Sequence, residues 1–512
     1  MKVNQLKAGA ILSYVGMFVQ NIVSIVYTPV MLRILGQSEY GLYNLVSSVV
    51  SYLGLLSFGF GSAFMRYYSN YKAKNDEEGM ARINGMFMTI FCGIAIVALI
   101  AGTILILNVE YIFKGGLSSG EINTARILMI LMVINIAISF LASVFDSNVT
   151  ANEKYVFQRT ISILKSILNP FLTLPLLLLG YRSIGLVVVS TTLVLTSFLL
   201  NMWYCFKKLK IKFIFKDFDF GLMKEMWVFS FYIFLNMIVD QINWSVDKFL
   251  LGMYKGTIGV AIYSIGAQIN SYYMSFSTSI STVFIPKVHR MVSSSNDNNE
   301  LTSVFTRVGR IQFIILSLIL TGFIFFGQYF VKVWGGNGYS NAYYIALILI
   351  IPVTIPLIQN LGIEIQRAKN MHKFRSIVYF FIAIANIFIS MPLCKLYGGI
   401  GTAIGTAISL IVGNGILMNI YYHKKVGLNI IYFWKEILKF IPGLIIPIMC
   451  GIIMKYFIAI DNIIKFIILG IIYVIIFILS LWFISMNDYE RNLLLSPINR
   501  IKSKYCLRRG EA

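Results

Sequence analysis

FLNMIVDQINWSVDKFL, residues 234–250, sets two aspartates, two asparagines, a glutamine and a lysine in a stretch otherwise apolar enough to cross a membrane. An ionised carboxylate at bilayer depth costs at least about 2.5 kcal/mol on insertion scales. A chain keeps such groups there when they face a watered cavity or the interior of a bundle. The stretch therefore reads as one helix among many.

The rest of the chain agrees. Of its 512 residues 58% are hydrophobic and 12% charged, with a mean hydropathy of +0.78. That leaves too little polar surface to coat a water-soluble fold of this length. Apolar runs long enough to cross a hydrocarbon core of about 30 Å as helix recur from residue 9 to residue 486. Barrel strands would alternate in polarity and these runs do not, so closed helices are the expected plan. The expected fold class is an all-α integral membrane protein of about fourteen transmembrane helices. Spans one to six lie near 9–33, 42–65, 84–108, 124–147, 160–180 and 184–206. Spans seven to twelve lie near 226–251, 258–285, 308–331, 341–363, 374–395 and 399–422, and two more near 429–457 and 463–486.

The net charge of +22 invites a nucleic-acid reading, but its distribution argues against one. With the N-terminus inside, 33 of the 43 Lys and Arg fall in cytoplasmic segments and 10 on the opposite side. This positive-inside asymmetry places both termini in the cytoplasm. KKLKIKFIFK (207–216) and Lys502, Lys504, Arg508 and Arg509 then set topology and contact anionic membrane lipids. Five scattered cysteines give neither a disulfide framework nor a metal site, and no cofactor is indicated.

An internal repeat organises the chain. NPFLTLP (169–175) recurs as NIFISMP (386–392), 217 positions on. Tyr43, Ser51, Tyr52, Ser57 and Phe64 match Tyr263, Ser271, Tyr272, Ser277 and Phe284 at a constant 220, and Leu35-Gly36 aligns with Leu251-Gly252 at 216. An even number of helices per copy gives both the same orientation, related by an axis along the membrane normal. The expected organisation is two pseudo-symmetric six-helix lobes, 1–212 and 213–427, an appended helix pair over 428–487 and a basic tail over 488–512.

Asn236, Asp240, Asn243 and Asp247 step by four, three and four, so they form one stripe down span seven. Span one carries Gln20, Ser24, Tyr27 and Met31 at the aligned positions. Span eight adds Gln268, Ser271, Tyr272 and Ser275, and span two adds Ser48, Ser51 and Tyr52. Matching stripes from two halves imply a hydrophilic cleft near the midplane. The plainer alternative is that the hydroxyls and amides tie helices together at about 1 kcal/mol or less per bond. Asp240, near the middle of its span, is the expected coupling group. Asp247, two turns nearer the outside and beside Lys248, is expected to matter less and to pair with a neighbouring cation.

Four segments carry a resemblance: PVMLRILGQSEYGLYNL (29–45), LLSFGFGSAFMRYY (55–68), LLGMYKGTIGVAIYS (250–264) and LYGGIGTAIGTAIS (396–409). In this order they resemble the polysaccharide flippase branch, of Wzx type, of the multidrug/oligosaccharidyl-lipid/polysaccharide superfamily, over about 420 residues. The resemblance implies a multi-pass protein of a bacterial plasma membrane. Its substrate would be an undecaprenyl-diphosphate-linked oligosaccharide, moved from the inner to the outer leaflet by alternating access of two lobes, with polysaccharide polymerase machinery as a further partner. The diphosphate needs basic groups, and Arg33, Arg66, Lys165 and Lys248 are the candidates; Arg33 and Arg66 also fit as boundary markers. The middles of spans one, two, seven and eight hold no arginine, unlike the arginine-lined cavities of the related lipid II flippases. A multidrug exporter of the same superfamily would share the lobes but not need the extra helix pair. A polymerase or ligase would need a sizeable external segment, whereas the longest outer loop is about 109–123, with Glu110, Lys114 and Glu121, and His289, His372 and His423 all fall on the cytoplasmic side. No phosphate-cradling glycine loop is present, so nucleotide hydrolysis is not expected within the chain.

Overall fold

In the bilayer core every backbone N–H and C=O must find its partner within the chain, and the apolar runs satisfy this as helices. The computed structural model describes residues 5–113, 115–216, 220–295, 297–493 and 495; Lys114, Lys502, Lys504, Arg508 and Arg509 lie outside them. Among the described residues every regular element is helical. In chain order they are α1 (Gln5–Val50), α2 (Phe60–Ala73), α3 (Glu77–Leu107), α4 (Val109–Ile112), α5 (Ser119–Ala151), α6 (Tyr155–Leu178), α7 (Arg182–Tyr204) and α8 (Phe220–Ser294). There follow α9 (Asn298–Gly335), α10 (Asn341–Ile358), α11 (Asn360–Ala368), α12 (His372–Leu410), α13 (Asn419–Tyr421), α14 (Ile430–Leu438), α15 (Ile441–Phe457) and α16 (Ile463–Ile484). Ten helical stretches among the described residues are long and apolar enough to cross a membrane, or eleven if α14 and α15, bent by 42°, form one span. The protein is thus a multi-pass membrane protein.

Three stretches, of 66, 74 and 54 residues, exceed any bilayer crossing. Each holds a glycine with positive φ: Gly36 (φ 75°, ψ 175°), Gly256 (φ 68°, ψ −171°) and Gly398 (φ 59°, ψ −134°). A side chain at such a φ would be strained, so the helix turns there on glycine. The breaks at Gly36 and Gly256 share one backbone conformation and lie 220 apart. That spacing is the offset at which Tyr43 and Tyr263 match, whereas the expected match sets Gly36 against Gly252.

The chain divides into two compact units. The first comprises Met1–Ile265, Trp334–Ala342 and Ser376–Thr406. In it α3 packs on α5, α1 on α6 and α5 on α7. A buried aromatic cluster joins α2, α3 and α8, with Phe64 edge-on to Phe87 at 4.9 Å and Phe60 edge-on to Trp227 at 4.9 Å. Asp76 accepts from Gly79 N to cap α3, and Ser118 and Glu121 form a capping box on α5. Residues 213–265 belong to this unit, so the contacts do not follow the lobe boundary expected at 212/213. Met226 packs into the same core, and the Ile214 N–H donates to Ala81 O at 3.0 Å.

The second unit comprises Gly266–Val333, Tyr343–Arg375 and Ala407–Ala512. The appended helices are fixed here. Phe325 and Phe326 of α9 meet Tyr473 of α16 at 5.9 and 5.5 Å, and Phe313 meets Phe440 at 5.4 Å. Arg310 of α9 is 3% exposed and grips both ends of the appended segment. Its Nε and Nη2 donate to the Glu490 carboxylate at 2.6 and 2.9 Å, and its Nη1 to Glu436 O at 2.7 Å and Glu436 Oε2 at 3.2 Å. Nη2 also reaches Ser485 O at 3.2 Å, and the guanidinium lies 4.4 Å from the Phe440 ring centroid.

Candidate substrate and coupling site

Within the first unit the stripe of α8 meets three other helical segments. Near its start Asn236 Oδ1 accepts from Ser376 Oγ of α12 at 3.0 Å. One turn past Asn236, Asp240 is exposed and Gln241 reaches the 3₁₀ turn Ser51–Ser57 that follows α1, donating to Ser51 Oγ at 2.5 Å and to Ser245 Oγ at 2.8 Å. Further along, Asp247 is 1% exposed. Its Oδ2 accepts from Tyr263 O–H, beyond the Gly256 break, and from Thr406 Oγ1 of α12 at 2.8 Å. The half-buried Tyr52 lies within the field of the same carboxylate.

The bonds continue beyond Asp247. Asn386 Nδ2 donates to Thr406 Oγ1 at 3.4 Å, and Ser390 Oγ donates to Asn386 Oδ1 at 2.9 Å. Both donors are fully enclosed. The glycine-rich segment GGIGTAIGTAIS makes this possible. A Cβ at Gly405 would lie 2.2 Å from Ser390 Oγ, and one at Gly401 2.0 Å from Leu393 O. Small residues four apart let the helical turns on either side of Gly398 approach closely. Asp247 Oδ1 has no hydrogen-bond partner among the described residues. The result is a carboxylate held on one oxygen by hydroxyls, with the other oxygen available for a proton or a monovalent cation.

By enclosure the two aspartates differ in the opposite order to their depth along the span. Asp247 and Asp240 share a helix face; Asp247 is 1% exposed and bonded from beyond the Gly256 break and from α12, whereas Asp240 is exposed. The expected cationic neighbour is also replaced by hydroxyls. Lys248 is half-buried, but adjacent residues on a helix point about 100° apart, and the bonds on Asp247 come from Tyr263 and Thr406.

The remaining candidates are scattered. Gln20 is exposed and, with Ser13, Arg159, Ser162 and Ser166, lines a crevice of about 140 Å³ where α1 packs on α6. Ser24, Tyr27 and Asn243 are half-buried, and Arg33 is exposed near the Gly36 break. Arg66 is exposed and lies over Phe229 at 5.0 Å and Tyr67 at 5.7 Å, a cation–π arrangement that places its charge at a helix surface. Lys165 is the cation whose field reaches Asp146 of α5, which also accepts from Asn201 Nδ2 of α7. In the second unit Gln268 Nε2 donates to Tyr272 OH at 2.8 Å. Also in the second unit, Ser277, a repeat landmark, ties helices, accepting from Gln312 Nε2 at 2.9 Å and donating to Leu357 O at 2.8 Å. Asp146, Asn386, Ser390 and Thr406 are absent from the sequence-derived candidates. Asp146 alone carries a visible signal, since it is a carboxylate inside an apolar span like Asp240.

The fold is that of membrane transporters of the MOP superfamily. Over 95% of this chain and 99% of the other it superposes on a structure described as lipid II flippase MurJ, inward closed conformation, with a TM-score of 0.71 and 16% identity. An inward-facing multidrug resistance MATE family transporter of the MOP superfamily gives 0.63 and 13%, over 82% and 96% of the two chains. A point mutant of the Vibrio cholerae MATE transporter VcmN gives 0.57 and 14% over 84% and 98%. None of the curated proteins compared with the chain matches it. The family described as polysaccharide biosynthesis protein matches residues 6–292, and the chain belongs to that family.

Proposed function

We propose that this protein is a flippase that moves an undecaprenyl-diphosphate-linked oligosaccharide from the inner to the outer leaflet of a bacterial plasma membrane, for surface polysaccharide synthesis. The observation that carries this reading is the chemistry of the seam around α8. Ser51, Tyr52, Gln241, Ser245, Tyr263 and Asn236 offer hydroxyls and amides, which suit sugar hydroxyls, while the Asp247 carboxylate is enclosed among its own donors. A cationic drug would instead need an acidic group to bind, and the exposed carboxylate of Asp240 keeps the multidrug exporter as the second reading. Family membership supports a role in polysaccharide synthesis and gives no support to a polymerase or ligase.

Splitting the three over-long stretches at Gly36, Gly256 and Gly398 turns eleven spans into fourteen, with two six-span copies, both termini in the cytoplasm and the appended pair held through Arg310. The lobes 1–212 and 213–427 would alternate access, with Arg33, Arg66, Lys165 and Lys248 as candidate contacts to the diphosphate and Asp247 as the coupling group. Anionic lipids and a polysaccharide polymerase would be its neighbours. Deleting the gene is expected to leave lipid-linked repeat units in the inner leaflet and to remove the matching surface polysaccharide. Unchanged polysaccharide in a strain with no second flippase would refute the assignment.

A further inference from the structure

In the sequence Glu121 stands out only as part of a short outer loop, and the seam around α8 does not use it. Its two carboxylate oxygens have different tasks. Oε2 stays local, accepting from Ser118 N at 2.9 Å and Ser118 Oγ at 2.8 Å to complete the capping box of α5. Oε1 reaches two distant segments, accepting from Ser38 Oγ at 2.6 Å and from Thr257 Oγ1 at 2.8 Å. Ser38 lies two residues past the Gly36 break and Thr257 one past the Gly256 break. A single oxygen thus bonds the segments that follow the Gly36 and Gly256 breaks.

The surrounding backbone is packed to match. A Cβ at Gly41 would lie 1.9 Å from Thr257 O, and one at Gly116 2.0 Å from Gly252 O. Gln37 Nε2 donates to Gly338 O at 2.6 Å, and Glu39 accepts from Ser183 Oγ and pairs with Arg182 at 3.6 Å. Five segments therefore close on one another at the end of the unit that the charge asymmetry assigns to the outside. Thr257 is 5% exposed, so its hydroxyl meets Glu121 rather than water.

We infer that Glu121 is a positioning residue for transport, the hub that holds the outer end of this unit closed. The inference rests on the reading that the protein alternates between inward- and outward-open states. It needs no substrate to test. Hydrogen bonds to a charged acceptor are about twice as strong as neutral ones, and removing one acceptor here releases two segments at once, whereas the cap concerns α5 alone.

Electron–electron distance measurements between spin labels at the exposed positions Asn123 and Ile258, in full-length protein in lipid nanodiscs, read the state of this end. With Glu121 intact a single short distance is expected. E121A and the double variant S38A/T257V, which removes only the two donors to Oε1, are expected to add a longer population several-fold larger than the wild-type background. E121Q, which keeps a carbonyl oxygen, is expected to restore most of the short distance. S118A, which disrupts the cap alone, is expected to leave the distance unchanged. If S38A/T257V stays at the short distance, or S118A opens the end as far as E121A does, Glu121 is only a helix cap and the inference is overturned. Loss of the proposed polysaccharide function, judged separately in cells, would leave these distances unaltered.

Discussion

Asp247→Asn is expected to abolish gradient-driven transport while leaving protein abundance near normal. The amide keeps the shape of the side chain and an oxygen for the Tyr263 and Thr406 hydroxyls, so the packing of α8 on α12 should survive. It removes the one property that a coupling group needs, a charge that can be neutralised and restored. Burying or rehydrating such a charge as the protein changes state shifts the balance of states, and each ~1.36 kcal/mol of that difference is a tenfold change. Asp240→Asn is expected to change transport less, because an exposed carboxylate loses less hydration between states than an enclosed one. Counterflow in inside-out vesicles with an imposed proton or sodium gradient measures both. Full, gradient-dependent transport by the Asp247 variant would reduce that residue to a structural bond.

The second large effect concerns stability. Arg310→Met is expected to cost about 3–5 kcal/mol, because it strands the buried Glu490 carboxylate without its cation. Glu490 is 3% exposed, and among the described residues its carboxylate would keep the Asn487 backbone N–H at 3.0 Å, whereas Glu436 keeps Lys439 at 2.5 Å. Replacing both members with apolar residues of similar size, as in R310M/E490M, is expected to recover most of the loss, since a buried pair exchanged for packed hydrophobes is often close to neutral. Thermal unfolding in detergent, followed by size-exclusion chromatography, gives the comparison. A double variant no more stable than R310M would mean that the hydrogen bonds to Glu436 O and Ser485 O, rather than charge balance, hold the appended helices.

Much of this architecture was legible in the sequence, because two periodicities are strong. Hydrocarbon thickness fixes the length of each apolar run, and the 3.6-residue turn puts Asn236, Asp240, Asn243 and Asp247 on one face. What closes over that face was not legible. Thr406 and Asn386 approach Asp247 from about 140 to 160 positions away, and a Thr or Ser in an apolar helix gives no signal of its own, because most such hydroxyls bond their own helix. Sequence alone therefore places the aspartates by depth along the span and does not show that Asp247 is enclosed while Asp240 is exposed. The two glycine breaks were hidden for a related reason. Leu35-Gly36 matches Leu251-Gly252 letter for letter, yet the backbone break needs a glycine free to take positive φ, and that glycine is Gly256. Arg310 escapes notice because a lone arginine near the end of a span looks like a topology marker until its two glutamates, 126 and 180 residues away, are in place.

The central claim is that the cargo is a lipid carrying an oligosaccharide. The most direct measurement is translocation in proteoliposomes, with purified protein reconstituted beside undecaprenyl-diphosphate-linked oligosaccharide and a membrane-impermeant glycosidase or lectin reporting the leaflet in which the sugar lies. The expected result is protein-dependent transfer of the sugar to the opposite leaflet, accelerated by a gradient and lost in Asp247→Asn. Vesicles that retain the lipid-linked sugar in its starting leaflet, while the same protein exports a cationic dye, would contradict it.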